Sequence, residues 1–184
     1  MRIITGTAKG LKLKTPRGHD VRPTTDRVKE SLFAILADRL NGAVVADIFA
    51  GTGSLGLEAL SRGAATAVFV DASPSSLALV RDNAARARLA DRAEILRKDA
   101  IAAVGHFARS GRTFDLIFCD PPYNKGLAAA IIQKIDAGNI LRPGGVAIVE
   151  HSRHEPLPAG LVNLTISRTE RYGETILSFL EHTT

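Results

Sequence analysis

Five short apolar runs recur along this chain, each separated from the next by a segment of helical character. That alternation narrows the possible folds more than any other feature. The runs are Val44–Phe49, Ala67–Asp71, Ala93–Leu96, Phe114–Asp120 and Val146–Glu150. Helices are predicted between them at Leu55–Arg62, Pro74–Arg88, Ala100–Arg109 and Leu127–Ala137. Continuous apolar character marks strands buried on both faces, and the helices supply the crossovers that parallel pairing needs. The expectation is an α/β fold with a mostly parallel sheet. The tail changes character. Leu161–Glu170 and Glu174–Glu181 are extended segments around Tyr172-Gly173, which predicts an antiparallel hairpin closing one sheet edge.

The stretch before the first strand is built differently. Arg2–Thr5 and Leu11–Lys14 bracket Gly6-Thr7-Ala8-Lys9-Gly10, predicting a short hairpin. Arg17–Pro23 is turn-rich, and Thr24 or Thr25 can cap a helix running to about Leu40. Residues 1–30 hold eight basic groups against three acids, whereas the rest of the chain is balanced, so the formal charge of +5 resides in this arm. A basic arm on a neutral body points to a polyanionic partner. A solvated terminus is the plainer alternative. The alternation Leu11-Lys12-Leu13-Lys14 favours an ordered strand with one basic face. The candidate contacts are Lys9, Lys12, Lys14, Arg17, Arg22 and Arg27. Residues 1–40 are thus expected to form a basic extension and 41–184 the main domain.

Other classes are excluded by what the sequence lacks. A single cysteine, Cys119, leaves no disulfide framework and fits a reducing compartment. No apolar run approaches the roughly 18 residues of a membrane span, and the first residues do not read as a secretory signal. A cytoplasmic protein without membrane association or metal is expected.

The first predicted strand runs into Asp47-Ile48-Phe49-Ala50-Gly51-Thr52-Gly53-Ser54-Leu55-Gly56. Gly51, Gly53 and Gly56 match a dinucleotide fingerprint, and Asp71 lies where a ribose-binding acid belongs. A dehydrogenase would place pyrophosphate at the helix N-terminus. Asp47 opposes that, because a carboxylate at the mouth of the loop repels phosphate. It suits a cationic ligand such as S-adenosylmethionine. Asp71 is then the candidate acceptor for ribose hydroxyls, and Asp99 with the Ala100 N–H for an adenine ring. Asp99 reads equally well as a helix cap. Asp120 ends the fourth run.

Asp120-Pro121-Pro122-Tyr123 places an acid, two rigid residues and a ring at a strand's carboxyl end, where open α/β sheets bind ligands. Such a platform can accept hydrogen bonds from an amine on a flat heterocycle. Asp120 and the Pro121 carbonyl would accept the two N–H bonds, and Tyr123 would stack on the base.

These motifs resemble the amino-methyltransferase branch of class I S-adenosylmethionine-dependent methyltransferases. More narrowly, Arg22-Pro23-Thr24-Thr25-Asp26-Arg27-Val28-Lys29-Glu30, Gly56–Ala64 and Tyr172-Gly173-Glu174-Thr175 resemble the RsmD family across essentially the whole chain. The resemblance implies a Rossmann-like, mostly parallel seven-stranded sheet and methylation of guanine N2 in small-subunit (16S) ribosomal RNA. It also implies S-adenosylmethionine held by Asp47, Phe49, Gly51, Gly53, Asp71, Asp99, Ala100 and Asp120. The RNA would be naked or within an assembled or assembling small subunit, and the protein a monomer. One departure is Asp71, where the family favours glutamate. An N6-adenine methyltransferase could use the same tetrapeptide, and a non-catalytic RNA-binding assembly factor could retain the pocket. Arg22 and Thr24 read either as site residues or as a loop residue and a cap. Cys119 points to the face opposite Asp120 and is expected in the core. His151 is expected at the surface or a sheet edge, and Tyr172 in the tail hairpin or against RNA.

Overall fold

The computed structural model describes residues 1–16, 26–123 and 125–183. Arg17, Arg22, Thr24 and Thr25, with the expected turn-rich stretch, lie outside the described residues. Two compact units are formed, Met1–Arg97 and Lys98–Thr184.

In the first unit, strands β1 (Val44–Ile48), β2 (Thr66–Asp71) and β3 (Ala93–Arg97) pair in parallel in the order β3-β2-β1. The last four residues of β1 and the central four of β2 are buried, as continuous apolar strands require. The helices are α1 (Asp26–Ile35), α2 (Ser54–Ser61) and α3 (Pro74–Arg86). The single helix expected to reach Leu40 is instead α1 followed by a 3₁₀ turn at Ala37–Arg39. In α3, Ser73 accepts the Ser76 N–H at 3.3 Å and Pro74 occupies the first turn. Its end falls two residues before the expected Arg88. The Arg88 N–H bonds to the Ala85 carbonyl and the Leu89 N–H to the Ala84 carbonyl, the paired bonds of a Schellman motif. Arg88 sits at φ +58°.

The amino-terminal hairpin is tighter than two strands. The Ile3 N–H donates to the Leu11 carbonyl and the Gly10 N–H to the Ile3 carbonyl, and Arg2–Lys12 is an isolated bridge. Ile3 and Leu13 are buried while Lys12 and Lys14 are exposed, so the predicted two-faced alternation is present. The anchor is ionic. Glu58 on α2, fully buried, accepts the Ile4 and Thr5 N–H groups at 2.8 and 3.0 Å. It also pairs with Lys29 of α1 at 3.2 Å and Arg62 at 2.8 Å. The Lys29 ammonium donates to the Arg2 carbonyl and to Ser54 Oγ. Burial pulls its pKa below the ordinary lysine value, against the pull of Glu58.

The second unit holds α4 (Ala100–Arg109), β4 (Phe114–Cys119), α5 (Leu127–Gly138), β5 (Leu141–Ser152), β6 (Leu164–Tyr172) and β7 (Thr175–His182). Its strand order is β4-β5-β7-β6. β4 and β5 are parallel, whereas β7 runs antiparallel to both β5 and β6. The expected tail hairpin is therefore present at a sheet edge, with Tyr172 paired to Thr175. Asp136 of α5 anchors its entry by accepting the N–H groups of Val162, Asn163 and Leu164 at 2.8–2.9 Å.

Cys119 is buried in the core, as expected. His151 is not at the surface. β5 continues past the predicted Glu150 to Ser152, and pairing with β7 covers the imidazole, whose Nε2 lies 2.9 Å from Ser178 Oγ. Among the described residues no helix is long and apolar enough to cross a membrane, and no group of potential metal ligands assembles.

Candidate active site

The first unit carries the glycine loop. β1 stops at Ile48 rather than the predicted Phe49, which adopts φ +68°, a left-handed conformation that bulky residues rarely tolerate. Gly51 and Gly53 follow with positive φ. Gly53 is the N-cap of α2 but has no side chain with which to cap it. Asp47 takes over that role from β1, its Oδ2 accepting the Gly56 N–H at 2.8 Å. Gly56 has to be glycine at this contact, since a Cβ would lie 2.4 Å from Phe69 Cε1 and 3.1 Å from Asp47 Oδ2.

Asp47 is only 3% exposed, and burial raises its pKa from 3.8 to about 7. The Gly56 N–H pulls the other way, and the charge of Asp71 adds a smaller upward push. Asp71, at the end of β2, accepts the Gly51 N–H with one oxygen and the Ser73 N–H with the other, at 2.9 and 2.8 Å. Both acids thus brace the loop, and each oxygen retains acceptor capacity. A cation would relieve the burial cost at Asp47, whereas a phosphate would increase it.

Asn83 of α3 escaped the sequence reading. Fully buried, it accepts the Lys14 N–H at 2.8 Å, and its amide donates to the carbonyls of Lys14 and Thr52, both at 3.1 Å. It joins the basic arm to the glycine loop. A polar residue on the buried side of an otherwise apolar helix face was the available signal. Among the arm's candidates, Lys9, Lys12, Lys14 and Arg27 are exposed, and Lys14 pairs with Asp82 at 2.7 Å.

The second unit carries the platform. Asp120 follows β4 rather than ending it, half-buried, with Pro121 buried and Pro122 exposed. Tyr123 is clamped at its hydroxyl, which donates to Glu150 of β5 at 2.5 Å and lies 3.0 Å from Thr175 Oγ1 of β7. With its one proton on Glu150, the phenolic oxygen accepts from Thr175. Burial, aided by the Glu150 bond, pushes the phenol well above its ordinary pKa. Glu150 and Thr175 both appeared in the sequence as strand or motif residues, but nothing local tied them to Tyr123. Asp99 realises the cap reading, its Oδ1 accepting the Ala102 N–H at 3.0 Å from an exposed position beside the buried Ala100.

A family described as conserved hypothetical protein 95 matches residues 1–181. A Bacillus subtilis protein, YlbH, named as a candidate rRNA methyltransferase, is 39% identical over 175 residues, covering 95% of each chain. The Escherichia coli K12 protein named ribosomal RNA small subunit methyltransferase D is 34% identical over 174 residues, covering 95% of this chain and 86% of its own. The solved structure of E. coli yhhF, described as a candidate methyltransferase, superposes with a TM-score of 0.85 at 32% identity. That match covers 99% of this chain and 97% of the other.

Proposed function

Because this chain belongs to the RsmD family, the one described as conserved hypothetical protein 95, we propose that it methylates the exocyclic N2 of a guanine in small-subunit (16S) ribosomal RNA. Its fold is the Rossmann-like α/β fold of class I methyltransferases. The observation that carries the reading is the clamp on Tyr123, which holds an aromatic ring rigidly beside Asp120 and Pro121. Freezing the ring before the base arrives removes that ordering cost from binding.

The residues fit S-adenosylmethionine. Asp47 is a buried acid that, among the described residues, faces a backbone N–H and the carboxylate of Asp71 rather than a cation, and Asp71 presents a carboxylate at a strand end. When bound, the cofactor supplies an electrophilic methyl group on a sulfonium. Asp47, Phe49, Gly51, Gly53 and Asp71 would receive its amino-acid and ribose portions, with Asp99, Ala100 and Asp120 as the further contacts. Asp120 and the Pro121 carbonyl accept the two N–H bonds of the guanine amine. That draws the nitrogen lone pair out of conjugation and aims it for in-line attack. Tyr123 stacks on the base, which has to leave any helical stack to arrive there. On this reading residues 1–40 contact RNA and 41–184 form the methyltransferase domain. The protein acts as a cytoplasmic monomer without a metal.

The test is incubation with labelled S-adenosylmethionine and unmodified small-subunit RNA or particles, followed by digestion to nucleosides. Labelled N2-methylguanosine is expected, and N6-methyladenosine would overturn the assignment. RNA binding without transfer would favour an assembly factor. Asp120→Ala should abolish transfer while lowering cofactor affinity only slightly; equal loss of both would mean that Asp120 acts chiefly as a cofactor ligand.

A further inference from the structure

A cleft of about 330 Å³ opens between the hairpin turn and the C-terminus of α3, lined among others by Thr7, Lys9, Leu11, Arg86 and Arg88. Among the described residues its lining includes three cations and no acid or aromatic side chain. Both walls are fixed. On one side the turn lies so close to α2 that a Cβ at Gly6 would sit 1.8 Å from the Ser61 carbonyl oxygen. The Thr7 and Ala8 N–H groups are held by Ser61. On the other, Arg86 Nη1 donates to the Lys12 carbonyl at 2.9 Å, which leaves the rest of its donor fork for a ligand.

Arg88 is the telling residue. It occupies the position after the α3 cap at φ +58°, where helices ordinarily place glycine or asparagine because a side chain is strained there. An arginine held in that conformation on a basic cleft wall points to a task for its side chain. Among the described residues the cleft has no ring to stack a base and no acid to read a base edge, and its charged groups are all N–H-donating cations. Those match phosphate oxygens.

We propose that this cleft binds the phosphodiester backbone of the substrate RNA, with Arg86 and Arg88 joining Lys9 as its cations. The proposal rests on the RNA-methylating reading and adds to it a contact surface on α3, outside the basic arm. It implies that RNA is gripped at a phosphate site separate from the base-accepting tetrapeptide.

The test measures binding of unmodified small-subunit rRNA, transcribed in vitro, across a salt series for the wild type and the Arg86→Gln/Arg88→Gln double variant. Losing two phosphate contacts should lower the slope of log affinity against log salt by about 1.5 and raise the KM for RNA roughly tenfold. Affinity for S-adenosylhomocysteine should hold. Arg88→Gly separates function from fold: RNA binding should weaken while the unfolding midpoint holds or rises by about 2–4 °C, because backbone strain is relieved. A wild type with salt-dependent RNA binding and variants with an unchanged slope would overturn the cleft and leave the methyltransferase reading intact. A lower unfolding midpoint for Arg88→Gly would also overturn it by making Arg88 a packing residue. A wild type that neither binds nor methylates RNA would overturn both.

Discussion

Replacing Asp47 with asparagine tests the link between the loop's architecture and its ligand. The substitution keeps the shape and an oxygen able to accept the Gly56 N–H, but removes the titrating proton. Burial lifts the wild-type carboxyl from 3.8 to about 7, so the folded chain holds this proton more tightly than the unfolded chain does. The native advantage is complete below the unfolded value and is lost as pH rises through the window between the two. At about 1.4 kcal/mol per tenfold change, ionising Asp47 in the folded chain costs about 4 kcal/mol. Integrating the linkage relation, Asp47→Asn should gain about 2–3 kcal/mol on the wild type between about pH 5 and about pH 8. Urea unfolding without ligand measures that gap directly. A cationic ligand should reverse the ranking. Wild-type affinity for S-adenosylhomocysteine, which keeps the ammonium, should rise about tenfold per pH unit below about 7 and then level off. Asp47→Asn should bind weakly without that dependence. A stability gap that does not change with pH would refute the burial argument. A wild-type affinity that does not change with pH would refute the cation assignment.

Glu58→Gln leaves the buried Lys29 without its countercharge and should destabilise the chain by about 3–5 kcal/mol. Hydrogen exchange at the Ile4 and Thr5 amides should accelerate beyond the global change; unaltered protection there would show that the hairpin is held by other contacts. Tyr123→Phe removes the bonds to Glu150 and Thr175 but keeps the ring. Loss of rigid positioning should lower kcat/KM roughly tenfold or more without changing cofactor affinity, and wild-type kinetics would show that the clamp is dispensable. Gly56→Ala forces a methyl against Phe69 and Asp47. A loss of about 1–3 kcal/mol in chemical denaturation is expected, and full stability would mean that α2 shifts without cost.

Local pattern carried most of the architecture. The strand–helix alternation, the acids near strand ends and the glycines of the loop are legible because periodicity, capping and turn chemistry act over a few residues. Even the terminus of α3 was misread only by the two residues that the Arg88 turn removes. The partnerships that give those residues work were decided elsewhere. Asp47 reads from sequence chiefly as a ligand acid, and only the fold shows it capping a helix whose own cap residue is glycine. Asp99 left two readings open; its bond to Ala102 realises the cap with one oxygen and leaves the adenine contact to the other as a proposal.

Distance along the chain marks the boundary. Tyr123 meets Glu150 because β5 pairs with β4, and Thr175 because β7 pairs in turn with β5. Glu58 meets the hairpin 53 and 54 residues earlier, and Asn83 meets Lys14 across 69. The expectation of His151 at the surface or a sheet edge misses its burial for the same reason, since that burial depends on a strand that pairs with it from the tail. The amino-acid order by itself determined which residue types stand at each strand end and where charge accumulates. Tertiary structure alone decided which of them touch. A hydrogen bond between distant segments depends on strand order and register, and those follow from burying the whole core at once rather than from any local stretch of sequence.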